Sequence, residues 1–239
     1  MASRFPAILL LLPLVTQAAD EIDTSNGAWN GKGALGYTST SGNTDSTNLN
    51  ADLQVGYPKL RWKHSLQVAI IWAETDNDKS ADSKSARERT EYSLSEKSYA
   101  FGQARYEDDK FSGYDHQASI VAGVGSRFID NETQLLDLSV GAGYRQSKES
   151  ESGDTEDGLI GTSDLKYEYR FNENATFSET ALVESGSDNT YMQSETALTT
   201  RIQGNLSAKI SYLVKHNSDV PDGTDKTDKI TSVSLMYEF

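Results

Sequence analysis

Apolar and polar residues alternate with period two along almost the whole chain, and this constrains the fold more than any other feature. From Ser46 to Tyr57 (STNLNADLQVGY), Thr47, Leu49, Ala51, Leu53, Val55 and Tyr57 fall on one face. Ser46, Asn48, Asn50, Asp52, Gln54 and Gly56 fall on the other. A strand sorts residues this way because successive side chains point to opposite sides; a helix would scatter them around its axis. The next segment repeats the pattern: Trp62, His64, Leu66, Val68, Ile70 and Trp72 alternate with Lys63, Ser65, Gln67, Ala69, Ile71 and Ala73. Twelve such strands are expected, near 27–39, 46–57, 60–74, 86–95, 98–109, 115–128, 133–147, 159–171, 174–185, 190–202, 205–217 and 229–239. The prolines at 6, 13, 58 and 221 all fall outside these strands, as befits a residue that cannot donate to a ladder.

The connections alternate too. Those at 57–59, 95–97, 129–132, 172–173 and 203–204 are short, while 40–45, 75–85, 109–114, 147–158, 185–189 and 218–228 are mostly longer and polar. An all-β, up-and-down antiparallel transmembrane barrel has this asymmetry, with short periplasmic turns and longer outer loops. An even strand count then places both ends of the sheet on the periplasmic side. The mean hydropathy of −0.59 is no objection, because barrel strands carry polar residues on the lumen side. A soluble β-sandwich also alternates, but its two loop sets need not differ in length.

The chain closes on ITSVSLMYEF, in which Val233, Leu235, Tyr237 and Phe239 share an apolar face. That face needs a cover, and pairing of the last strand with the first supplies one. Closure removes the open edge that no sheet can leave in lipid. The terminal aromatic with apolar residues at every second position resembles the C-terminal signal of bacterial outer-membrane proteins. By that resemblance, the barrel-assembly machinery reads it. Trp62 and Trp72 lie ten residues apart on one face. At ~3.3 Å per residue and a tilt of ~40° they mark the two edges of a ~25 Å apolar band. Tyr57, Phe128, Tyr169 and Phe171 are expected in the lower aromatic belt, and Tyr37, Tyr106 and Tyr144 in the upper one.

At the start of the chain, Arg4, an apolar run over residues 5–15 and the exit TQAAD read as a cleaved secretory signal peptide over 1–19, with cleavage after Ala18 or Ala19. The run falls short of the ~20 residues that a spanning helix needs. Residues 20–239 then form one barrel domain in the outer membrane of a Gram-negative bacterium, in contact with its lipid. A monomer is expected. The formal charge of −14 argues against nucleic acid as a partner, since phosphate contacts need Lys and Arg. The absence of cysteine excludes disulfides and thiolate metal sites. No cofactor or metal ligand set is indicated, and no P-loop, HExxH or GxSxG occurs.

The stretches LGYTSTSGNTDSTNLNADLQVGYPKLRW (Leu35–Trp62), RYEDDKFSGYDHQASIVAGVG (Arg105–Gly125) and KTDKITSVSLMYEF resemble the family of salt-induced outer-membrane proteins, a domain of unknown function in Gram-negative bacteria. The resemblance covers nearly all of residues 20–239. It implies an outer-membrane barrel and, from the family's name, a link to salt stress. It carries over no catalytic residues.

Three places could hold chemistry. The first is the inward face, where strand parity places Asp52, Lys63, Arg89, Glu91, Arg105, Glu107, Arg127, Asp137, Arg145, Asp164, Lys166, Glu168, Arg170 and Lys209. These charges either line a selective pore or close a narrow barrel with salt bridges. Gly36, Gly123, Gly125, Gly141 and Gly143 thin the same wall. The second is the acidic outer loops, with Asp76, Asp78 and Asp82 in one, Glu149, Glu151, Asp154, Glu156 and Asp157 in another, and Asp219, Asp222, Asp225 and Asp228 in a third. Their carboxylates suit Ca²⁺ in type, without an EF-hand spacing. The third is His216-Asn217-Ser218, a His and Ser two apart, which a lipid hydrolase could use if a third group oriented the ring. The expected function is a narrow passive channel or envelope-integrity barrel rather than an enzyme. A closed-lumen surface or receptor barrel and an outer-membrane lipid hydrolase stay open as alternatives.

Overall fold

A computed structural model describes residues 27–40, 46–76, 78–110, 112–221 and 223–239; the signal-peptide expectation lies outside them. Twelve strands follow one another: β1 (Asn30–Thr40), β2 (Ser46–Lys59), β3 (Trp62–Thr75), β4 (Asp78–Ser93), β5 (Ser98–Asp109), β6 (Tyr114–Asp130), β7 (Gln134–Glu149), β8 (Thr155–Asn172), β9 (Ala175–Ser185), β10 (Thr190–Gln203), β11 (Leu206–Asn217) and β12 (Thr227–Glu238). Each pairs antiparallel with its sequence neighbours, and β12 returns to β1 to close the barrel. Gly33 faces Tyr237 and Leu35 faces Leu235 across that seam. The Gly31 and Phe239 amides each donate to the other's carbonyl, at 2.8 and 2.9 Å. The apolar terminal strand is thus covered by pairing, and no sheet edge is left facing lipid.

Burial alternates as the pattern requires, with polarity inverted relative to a soluble protein. On β5, Gln103, Arg105, Glu107 and Asp109 are buried in the lumen, while Gly102, Ala104 and Tyr106 face out. Ile120, Leu159 and Val233 are 72%, 80% and 61% exposed, which places them against hydrocarbon rather than water. At the lower edge of this wall, Trp62 packs on Tyr92 with centroids 4.8 Å apart, and Trp29 on Tyr57 at the same spacing. Tyr92 and Trp29 extend the lower belt beyond the residues expected from sequence.

The outer rim differs from expectation. β4 begins at Asp78, not near 86, so most of the long loop expected over 75–85 is strand. Asp78 and Asp82 are therefore strand residues, as are Glu149, Glu156, Asp157 and Asp228. Above the membrane both faces of a strand meet water, so the strands continue upward with no apolar face. Alternation of hydropathy stops there while hydrogen bonding does not.

The lipid-facing wall also carries a polar track. His64 Nδ1 lies 2.7 Å from Thr90 Oγ1, and that hydroxyl donates to Glu88 Oε1 at 2.7 Å. Each group supplies its neighbour with a partner that hydrocarbon cannot offer.

Candidate functional site in the barrel lumen

Strand parity places every sequence-predicted lumen charge inside the barrel. What parity does not show is how far they reach. Lys215 on β11 lies 2.5 Å from Glu107 Oε1 and 2.9 Å from Asp109 Oδ2, both on β5. In a closed ring of twelve strands, β5 and β11 are six strands apart in either direction. This ion pair therefore joins opposite walls. Twelve strands ~4.8 Å apart and tilted ~40° would make a round barrel roughly 24 Å across. A Lys and a Glu side chain extended toward each other bridge roughly 13 Å, a few ångströms per extended side chain plus the contact. The barrel is flattened at this level, and side chains fill the gap.

Around that pair is a closed set of partners. Arg105 is ion-paired with Glu107 and, at 3.2 Å, with Glu184 on β9. Ser119 on β6 donates to the other Glu184 oxygen at 2.8 Å. The Arg105 guanidinium sits over the Tyr191 ring, 4.1 Å from its centroid, and the Tyr191 hydroxyl reaches Glu107 at 3.0 Å. Lys215 also donates to Ser83 at 3.0 Å. Glu184 has no exposed surface. Carboxylates so deeply desolvated are tolerated only when paired and hydrogen-bonded, and both are.

A second layer lies below. Arg87 and Arg89 on β4 both reach Asp164 on β8, four strands away, the latter at 3.4 Å. Arg89 also donates to Ser139 at 2.9 Å and stacks 3.7 Å over Phe101. Lower still, Glu91 holds Arg89 and Arg127 at 3.2 Å each, and the Tyr99 hydroxyl donates to Asp137 at 2.5 Å. Phe101, Tyr99, Val121 and Ile160 form a small apolar core inside this half of the barrel. The β6 and β7 glycines make room for it. A Cβ on Gly125 would come within 2.3 Å of the Tyr99 ring, and one on Gly123 within 2.7 Å of Phe101.

The lower end of the lumen is wetter, and Lys63 there pairs at 3.7 Å with Glu91 of the network just described. Lys63 and Lys166 point inward, yet their side chains are 52% and 50% exposed. Lys166 pairs with Glu168 at 3.0 Å and Lys209 with Glu195 at 2.6 Å. Asp52 accepts from Gln54 and Gln67 at 3.2 and 2.9 Å. Arg170, on the same face, donates to the Glu132 carbonyl at 3.1 Å.

The outer mouth is capped by loops that hold one another. Asn189, in the β9–β10 connection, is the hub. Its amide donates to Asn217 at 2.7 Å, and its side-chain oxygen accepts from Ser218 Oγ and the Asp219 amide at 3.2 Å each. Arg145 donates to its carbonyl. The Tyr114 hydroxyl, from the β5–β6 side, donates to the Asp219 carbonyl at 3.1 Å.

The His216-x-Ser218 pair is not assembled for chemistry. His216 Nδ1 lies 2.8 Å from Thr227 Oγ1, while Ser218 Oγ is engaged with Asn189 and with the Thr190 amide at 2.8 Å. The acidic outer residues do not converge either: among the described residues, no group of three or more His, Asp or Glu could hold a metal ion. Sequence reasoning missed Arg87, Glu184, Tyr191 and Lys215. Glu184 and Lys215 are inward by the same parity that found their neighbours; their pairing across the lumen has no signal in one sequence.

These features define a twelve-stranded, outer-membrane type β-barrel whose lumen is crossed by buried ion pairs. The chain belongs to the family described as "Protein of unknown function, DUF481", whose model matches residues 33–239. It is 29% identical over 208 residues to the uncharacterized protein YdiY of Escherichia coli (strain K12), covering 84% of this chain and 80% of that one. Among solved structures it is similar to the NanC porin, with TM-score 0.53, 12% identity and coverage of 89% of this chain and 99% of that one. It is also similar to the COG4313 outer membrane channel from Pseudomonas putida F1, with TM-score 0.54, 10% identity and coverage of 94% and 100%. Identities this low establish the shared barrel fold.

Proposed function

We propose that the chain is a narrow outer-membrane channel, open to the periplasm and held shut on the outside by its lumen plug. The observation that carries this reading is the Lys215–Glu107 pair between opposite walls, above a lumen floor whose lysines are half exposed. Small solutes pass when the plug loosens. Charges left on the floor then meet them, with Asp52, Lys63, Lys166, Glu168 and Lys209 as the first residues encountered. The remaining parts follow from the sequence: export by a signal peptide cut after Ala18 or Ala19, assembly through the Val233, Leu235, Tyr237 and Phe239 signal, Trp62 and Trp72 as interface anchors, and a monomeric barrel. The salt-stress link rests on the family resemblance; a deletion strain that grows normally at raised salt would remove it.

Liposome swelling tests the channel. Proteoliposomes of the wild type should swell slowly in iso-osmotic glycine or arabinose, and those carrying Glu107→Gln with Lys215→Met several-fold faster. Equal, fast swelling would show that the plug does not limit passage. No swelling in either would favour a closed-lumen surface barrel, the reading that the interlocked loops around Asn189 support.

A further inference from the structure

We infer that solute released by the loosened plug follows the wall formed by β12 and β1–β3, and that this wall suits small uncharged polyhydroxy solutes. The inference rests on the channel reading and adds the route and the class of solute. The Lys215–Glu107 pair joins β11 to β5 and divides the ring, with β12 and β1–β4 on one side and β6–β10 on the other. On the β6–β10 side the lumen is filled. Val121, Ser139, Ile160, Thr162 and Glu184 are all buried there. Arg105 reaches across to Glu184 on β9 at 3.2 Å, and Arg89 to Ser139 on β7 at 2.9 Å. Freeing Lys215 leaves these contacts in place, so this side stays shut.

The other side is built differently. Asn50, Gln54, Gln67, Ala69 and Ile71 face the lumen, and none of them is buried. Among the described residues, the side-chain hydrogen bonds of β12 and β1–β3 run along the wall and not across the lumen. Asn50 Nδ2 donates to Ser234 Oγ at 2.8 Å, passing over β1, and Gln67 and Gln54 donate to Asp52 at 2.9 and 3.2 Å. Gly36 lets the first of these lie flat. Its Cβ position falls against the Asn50 side-chain oxygen and 2.8 Å from Ser234 Oγ, so a side chain there would lift both into the lumen. The lysines of this wall face carboxylates: Lys32 stands opposite Glu238 in its ladder and Lys63 opposite Glu91. Asp52 already accepts from two amides. Such a wall offers a charged solute little in exchange for its water. Amides and hydroxyls both donate and accept, so a polyol can trade its hydration for wall contacts step by step.

The chain has no cysteine, so one introduced thiol reports cleanly. In the Glu107→Gln, Lys215→Met background, Ala69→Cys places a thiol on the β3 wall. Thr162→Cys places one on β8 in the filled side, where the threonine hydroxyl has no hydrogen-bond partner to lose. Each folded variant, with its heat-modifiable migration confirmed, is treated in proteoliposomes with uncharged benzyl methanethiosulfonate. The Ala69→Cys thiol should react, and its label should slow swelling in arabinose several-fold. Thr162→Cys should react far more slowly and leave swelling unchanged. An Ala69→Cys thiol that stays unlabelled, or that is labelled without slowing arabinose, overturns the route, as does a block at Thr162→Cys. Gln67→Leu, close to the native side chain in size, tests the class of solute: it should slow arabinose several-fold and glycine much less. Equal changes for the two solutes, including none, overturn the polyol assignment while leaving the route intact. If the background variant without a thiol does not swell at all, the channel reading itself falls.

Discussion

Replacing Lys215 with Met is expected to lower the unfolding free energy of the barrel by about 3–5 kcal/mol, the usual consequence of stranding a buried charge. Lys215 pairs with the Glu107 and Asp109 carboxylates on the opposite wall, at 2.5 and 2.9 Å. Arg105 still faces Glu107 in the variant, but it is shared with Glu184. Asp109 then loses the Lys215 ammonium in a region where little surface is open to water. Denaturant titration of the refolded barrel in detergent measures the loss. A companion variant separates charge from packing: adding Glu107→Gln and Asp109→Asn to Lys215→Met removes the stranded carboxylates and should recover most of the stability. Equal losses in the single and triple variants would mean that the aliphatic stem of Lys215, not its charge, does the work.

The second large effect falls on a glycine. A Cβ at Gly143 would lie 2.0 Å from the Ile120 carbonyl oxygen and 2.8 Å from Val121 Cα, both backbone atoms of the paired strand β6. Backbone cannot rotate away as the end of a side chain can, so Gly143→Ala must push β6 and β7 apart. Overpacking of this kind costs about 3 kcal/mol, and Gly143→Val should prevent folding into the heat-modifiable form. Gly102 is the control. It lies in β5 with open space around its Cβ position, so Gly102→Ala should be neutral or slightly stabilising. A Gly143→Ala barrel as stable as wild type would show that the close approach of β6 and β7 is not required.

Much of the fold is legible in the sequence because a strand leaves a simple mark: Leu53 and Asp52 cannot face the same way, and neither can Trp62 and Lys63. Parity carried that reading through all twelve strands and placed the lumen charges on their side of the wall. It failed above the membrane, where water on both faces removes the contrast that parity needs, so the strand residues Asp78 and Asp82 read as loop. The lumen ion pairs were legible in composition and not in connection. Lys215 and Glu107 are 108 residues apart, and their contact depends on how far the ring of strands flattens. A period-two pattern carries no information about cross-section.

Single-channel recording in a planar bilayer tests the central claim most directly. On the proposed reading, the pair that joins β5 to β11 closes the outer half of the lumen, so the wild type should pass current in rare, small steps. Glu107→Gln with Lys215→Met should give frequent, larger steps at the same voltage. A wild type with steady, large conductance that this variant leaves unchanged would contradict the plug.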